Sequence, residues 1–244
     1  MEKIGKKSIK EICKLIDQII DGSDNKIDYK FIYLHLNEAL TKKISYDDIV
    51  LICETVIKIA KTKNTIIRHL EKDFWDFVNK VPFQILLIQK LEIADNEELL
   101  SNTDYDKTGK KNLSCLLGLI QEILEIKDDN SKGSDLRRSS SLRFIGDLIN
   151  YYHIPIAKEL FVKSINSKNV NEQYTALEGL ENYFSVSDEN IEDDLIQSLK
   201  RIKDETEDRT VASTCLQIQI NAGLIDEITA VFEMDDWKDD HYDY

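Results

Sequence analysis

Only two prolines and eight glycines interrupt a chain of 244 residues, where soluble proteins average about 5% and 7%. Turn-dense β-sandwiches and barrels, and sheets whose Gly-rich loops cradle nucleotides, need far more of both. No apolar run approaches the roughly 18 residues that a membrane-spanning helix requires. Near the start, Lys10, Glu11, Lys14 and Asp17 break every apolar stretch, which is unlike a secretory signal. Cysteine is confined to Cys13, Cys53, Cys115 and Cys215, with no Cys-x-x-Cys pair. Each stands among apolar neighbours at helical spacing, so four reduced core thiols and a cytosolic or nuclear compartment are expected. Positive charge is in deficit too: 32 Lys and Arg against 46 Asp and Glu give a net charge of −14. That balance disfavours a surface built for nucleic-acid phosphates.

The motifs that carry chemistry are missing as well. There is no Gly-x-x-x-x-Gly-Lys-Ser/Thr loop, Gly-x-Gly-x-x-Gly turn, His-Glu-x-x-His helix or Gly-x-Ser-x-Gly elbow. His35, His69, His153 and His241 are scattered. His69 and Asp73 are helical neighbours, but Arg68 and Lys72 flank them, which suits a solvated face better than a metal site. The expected chain has no catalytic residues, no metal and no cofactor.

What the sequence does hold is helical periodicity. Ser8 and Glu11 form a capping box, and Ile9, Ile12, Cys13, Ile16, Ile19 and Ile20 follow as one apolar stripe. Further helices are expected from Asp28, Ser45, Asn64 or Thr65, Pro82, Leu113, Asp135, Pro155, Asn169, Asp188 and Glu207. Residues 101–112 and 128–134 read as polar loops, and 226–244 as an acidic C-terminal segment.

A 36-residue offset relates three of these helices. Ser140, Phe144 and Leu148 align with Ala176, Leu180 and Phe184, and again with Ala212, Leu216 and Ile220. A small residue four before a large apolar one lets a neighbouring helix approach closely, as in stacked HEAT-type pairs. The predicted fold is all-α, a single HEAT-like solenoid over residues 1–244 with about five antiparallel helix pairs.

Charge is divided unevenly. Residues 1–122 hold 19 Lys and Arg with 20 Asp and Glu, whereas residues 123–244 hold 13 and 26. The acids Glu192, Asp193, Asp194, Glu205, Asp208, Asp235 and Asp236 are therefore candidates for holding a partner with a basic surface, with Trp237 and Tyr242 as aromatic anchors. Trp237 also suits the end of the last helix pair. A basic stretch with Lys107, Lys110, Lys111, Lys127, Lys132, Arg137, Arg138 and Arg143, close to Tyr105 and Phe144, is the one place suited to RNA. The whole-chain charge works against it. Arg137-Arg138-Ser139-Ser140-Ser141 has the form of a kinase target, but Ser140 falls on the small, buried position of the repeat.

Arg137-Arg138-Ser139-Ser140-Ser141-Leu142-Arg143-Phe144-Ile145-Gly146-Asp147-Leu148 resembles a helix of the middle domain of eukaryotic translation initiation factor 4G, where Phe-Ile-Gly-Glu-Leu follows an Arg-Arg-x-Ser start. Val81-Pro82-Phe83-Gln84-Ile85-Leu86-Leu87 is similar to another of its helices, and Asn169 to Tyr183 to the next. The basic Leu-Asn-Lys-Leu signature of that family's first helix is absent, with Ile12-Cys13-Lys14-Leu15-Ile16 in its place, so no helicase-contact residue carries over. The resemblance implies a cytoplasmic, non-catalytic adaptor in mRNA metabolism, with a DEAD-box helicase or a cap- or poly(A)-binding protein as partner. The acidity alone equally suits a small helical inhibitor or immunity protein that blocks a basic nuclease.

Overall fold

The computed structural model describes residues 8–22, 46–62, 103–127, 131–149, 154 and 156–241. Among them every regular element is an α-helix and none is a strand. In chain order α1 is Ile9–Ile20, α2 Tyr46–Lys61, α3 Thr103–Glu125, α4 Lys132–Leu148, α5 Ile156–Ser164, α6 Val170–Val186, α7 Asp193–Glu205, α8 Arg209–Asn221 and α9 Glu227–His241. The helices expected from Asp28, from Asn64 or Thr65 and from Pro82 lie outside the described residues. Two compact units divide the chain, Met1–Ser141 and Leu142–Tyr244, with the boundary inside α4. The first holds 23 Lys and Arg against 24 Asp and Glu, the second 9 against 22, so the charge asymmetry follows the structural division.

In the first unit α1 packs on α2 and α2 on α3. The capping box forms as expected: Ser8 Oγ accepts from the Glu11 N–H at 3.3 Å, and a Glu11 carboxylate oxygen accepts from the Ser8 N–H at 2.7 Å. Ile12, Ile16, Ile52, Val56, Ile59, Leu116, Ile120 and Ile123 are buried, each contributing about 2 kcal/mol relative to exposure. Lys58 meets Asp17 at 2.8 Å and Lys61 meets Glu122 at 2.6 Å. These ion pairs are exposed and add under about 1 kcal/mol each, so apolar burial dominates.

The serine run of α4 is compatible with a helix because the hydroxyls of Ser139 and Ser141 turn onto the backbone, while the buried Ser140 hydroxyl makes no hydrogen bond. Ser139 Oγ donates to the Asp135 carbonyl at 2.9 Å and Ser141 Oγ to the Arg137 carbonyl at 2.8 Å. The two arginines before the run serve the end of α3. Arg138 Nη1 donates to the Leu124 carbonyl at 2.7 Å, and Arg137 Nη2 to Ser134 Oγ at 2.9 Å and the Lys127 carbonyl at 3.4 Å. A helix C-terminus carries unpaired carbonyls and partial negative charge, which cations satisfy.

In the second unit α5 packs on α6, α7 on α8, α8 on α9, and α6 touches α8 across the intervening chain. Asn169 Oδ1 caps α6 by accepting from the Glu172 N–H at 3.1 Å. Ala176, Leu180 and Phe184 on α6, and Ala212 and Leu216 on α8, are buried, whereas Ile220 on α8 and Phe144 on α4, at the same phase, are half-buried. Gly223, at φ +70°, ends α8: its N–H bonds the Ile220 carbonyl and that of Leu224 the Gln219 carbonyl, both at 2.9 Å. Asp226 then caps α9 by accepting from the Thr229 N–H at 2.7 Å. Lys203 of α7 reaches Glu233 of α9 at 2.7 Å.

Three expectations change. Residues 103–112 belong to α3 rather than to a loop, and α4 already begins at Lys132. α7 starts at Asp193, five residues after Asp188. Cys13 and Cys215 are core thiols, whereas Cys115 is exposed; all four cysteines are free.

Candidate functional site

Helix ends place most of the acids singled out from the sequence. Glu192 occupies the N-cap of α7, but its carboxylate makes no cap bond and instead accepts from Lys158 Nζ at 2.7 Å. Lys158 also reaches Glu189 at 3.2 Å and lies 5.5 Å from the Phe184 ring centre. The hydrogen bond from Lys158 holds the Glu192 carboxyl below its ordinary range. Burial alone would lower the Lys158 ammonium, yet the two carboxylates outweigh it and raise its pKa. Glu192 is thus compensated within the unit, while Asp193 and Asp194 stand exposed in the first turn of α7. The positive end of the helix dipole favours both there.

Glu205 ends α7 and Asp208 caps α8, its Oδ1 accepting from the Thr210 N–H at 2.8 Å. They line one open groove of about 600 Å³ together with Glu207, Lys168, Arg201, Asn166 and Gln173. Arg201 donates to Asn166 in the same groove, so its charge is mixed. Asp193 and Glu205 stand twelve residues apart on α7, about 18 Å along the axis. The candidate acids therefore form separate clusters and not one patch. Asp235 and Asp236 are exposed on α9.

Trp237 is 3% exposed, so its indole belongs to the interior of the unit. Tyr242 lies outside the described residues. Apolar side chains meet solvent on the opposite side of α9, as Val170 and Val186 do at the two ends of α6. Ile228, Val231 and Phe232 are 69%, 59% and 65% exposed, and Leu224 in the preceding turn is 42% exposed. The spacing of three and four puts Ile228, Val231 and Phe232 on one face of α9. The signal was present in the sequence as a second apolar phase within residues 226–237, masked there by the surrounding acids.

A second feature escaped the sequence because its parts are some 30 residues apart. Arg143, Asp147, Glu178, Glu181, Thr175 and Asn182 line a cleft of about 260 Å³ floored by Gly146 and Gly179. Burial pushes the Asp147 carboxyl up; Arg143 opposes this and Glu178 adds to it. Burial and the Glu178 charge push Glu181 up too.

The basic stretch considered for RNA is partly used internally. Arg137 is fully buried and Arg138 half-buried on the α3 carbonyls, while Arg143 is exposed and Phe144 half-buried. Ser140 and Ser141 are 4% and 2% exposed. Among the described residues no group of three His, Cys, Asp or Glu side chains is placed to hold a metal, and no helix is long and apolar enough to cross a membrane. His69 and Asp73 lie outside those residues. Compared with known protein families, curated proteins and solved structures, the chain matches none.

Proposed function

We propose that the chain is a non-catalytic helical-repeat scaffold that binds a protein partner through the acidic surface of its C-terminal unit. The observation that carries this reading is the net charge of −13 over residues 142–244, with Asp193, Asp194, Glu205, Asp208, Asp235 and Asp236 all exposed. Such a field steers and holds a basic protein and repels RNA. The HEAT-like solenoid belongs to the same proposal. Buried small residues recur at Ala176 and Ala212, and α6 and α8 touch each other while each packs on its sequence neighbour. Stacking of alternate helices in this way suits a repeat array. The phrase from Arg137 to Leu148, with its likeness to the middle domain of translation initiation factor 4G, supports a place in mRNA metabolism or translation. The partner is then a DEAD-box helicase or a cap- or poly(A)-binding factor, met in the cytoplasm.

Capture of tagged chain and its partners from native lysate at moderate salt, read by mass spectrometry, tests this. A helicase or a cap- or poly(A)-binding factor is expected, and Asp193→Lys with Asp194→Lys and Asp208→Lys should release it. Recovery of one basic nuclease without translation factors would replace the adaptor by an acidic nuclease inhibitor.

A further inference from the structure

We infer that the outer face of α9 is a docking strip for a basic amphipathic helix of the partner, a refinement that rests on the reading of the C-terminal unit as a surface for a basic protein. α9 is apolar on two sides. Ala230 and Trp237 are buried on the inner one, and Lys203 fixes Glu233 beside them. Ile228, Val231 and Phe232 on the outer one stay in water. A contiguous apolar stripe at helical spacing is the pattern by which helices recognise helices, and exposed Phe supplies the anchor.

Charge selects the occupant. Asp226 and Glu227 stand at one end of the stripe and Asp236 at the other, all exposed. Hydrogen bonds from the N–H and hydroxyl of Thr229 hold the Asp226 carboxyl below its ordinary range, so it is an anion at neutral pH. From Arg209 to Tyr244 the sequence holds eight acids and only two cations, Arg209 and Lys238. A second copy of this face would set carboxylates against carboxylates, and anionic lipid headgroups would meet the same repulsion. A helix with apolar residues at the same spacing and Lys or Arg on both flanks fits instead. Its long side chains cover the rim of the stripe with their stems and reach the acids with their heads.

The test uses the full chain and two peptides of identical Leu and Lys composition. One has Leu at positions i, i+3, i+4 and i+7; the other has the order changed to remove the stripe. Titration calorimetry should show the first binding and the second binding far more weakly, with hydrogen-exchange protection confined to residues 224–236. Ile228→Ser with Phe232→Ser should weaken the first peptide by about tenfold or more. Both side chains are exposed, so circular dichroism and the unfolding midpoint should stay unchanged. Equal binding of both peptides, or undiminished binding to the double variant, would overturn the strip and leave the broader acidic-surface reading standing. Binding to neither peptide, or sedimentation showing a dimer that the double variant abolishes, overturns it as well. The broader reading falls separately, if capture from lysate returns no basic partner.

Discussion

The ring of Phe161 on α5 fills the space that a Cβ on Gly179 of α6 would occupy, and the Gly179 Cα stands 3.6 Å from the Cβ position of Gly146. The two glycines thus meet their surroundings differently. At Gly179 a methyl group overlaps a ring that is itself fully buried and has nowhere to go. Overpacking of this kind costs about 1–3 kcal/mol, while Ala in a helix returns up to about 1 kcal/mol. Gly179→Ala should therefore lower stability by about 1–2 kcal/mol in urea unfolding. At Gly146 the contact is ordinary, so Gly146→Ala should be neutral or stabilising by up to about 1 kcal/mol. Equal effects at the two sites would show that the Phe161 packing is not the deciding term.

The Arg137–Arg138 pair gives a second prediction, on stability and modification together. Arg138→Ala removes the donor to the Leu124 carbonyl at the end of α3, and hydrogen bonds to charged groups contribute about 1.5–3 kcal/mol. A loss of that size is expected for Arg138→Ala, and a larger one for Arg137→Ala because that side chain is wholly buried. Because Ser140 and Ser141 are enclosed, a basic-directed kinase should phosphorylate neither in the folded chain and should do so after unfolding. Phosphate on Ser140 in native protein, seen by mass spectrometry, would contradict the packing of α4.

Local features were legible in the sequence and tertiary ones were not. The Ser8–Glu11 box and the Asn169 cap read directly because each needs only residues three apart. The start of α7 misled because Asp188-Glu189-Asn190 has the composition of a cap. Ile191 is instead buried, and Glu189 and Glu192 turn to Lys158. That preference comes from residue 158, far outside any local window. The polar run after Thr103 lacks an apolar period, so it reads as a loop, yet its backbone lies in α3. Trp237 and Phe232 show the same limit within one helix: the sequence marks Trp237 and not Phe232 as an anchor, yet packing turns Trp237 inward and leaves Phe232 exposed.

The cleft carboxyls predict a pH dependence. Asp147 and Glu181 titrate above their ordinary values in the folded chain, chiefly through burial. Between the ordinary and the folded value the native state binds more protons than the unfolded one, so stability falls as pH rises through that interval. The penalty is complete above the folded value and vanishes below the ordinary carboxyl range. Asp147→Asn and Glu181→Gln should hence raise the thermal midpoint at pH 7 and leave it unchanged at about pH 3. A midpoint lowered at pH 7 would mean that Arg143 stabilises the ionised Asp147 more than burial penalises it.

Lys203 and Glu233 decide how firmly α9 is held to the rest of its unit. Lys203 is 13% exposed and Glu233 31%. Burial alone would lower the Lys203 ammonium, but the carboxylates of Glu233 and, at 3.6 Å, Asp204 more than offset it and raise its pKa. The folded state therefore favours the charged lysine, and the pair contributes stability that persists at neutral pH and is lost as pH rises through the raised value. Glu233→Ala leaves a largely covered cation with only the longer contact to Asp204. A cost of about 1–2 kcal/mol is expected, below the 3–5 kcal/mol of a fully buried pair because water still reaches both groups. Hydrogen exchange should localise the loss to residues 227–241, where α9 loosens from α7 and α8 while α6 keeps its protection. Restoring the pair with Lys203→Glu and Glu233→Lys together should recover part of the stability. Failure of Glu233→Ala to speed exchange in α9 would mean that Trp237 and Ala230 alone fix the helix.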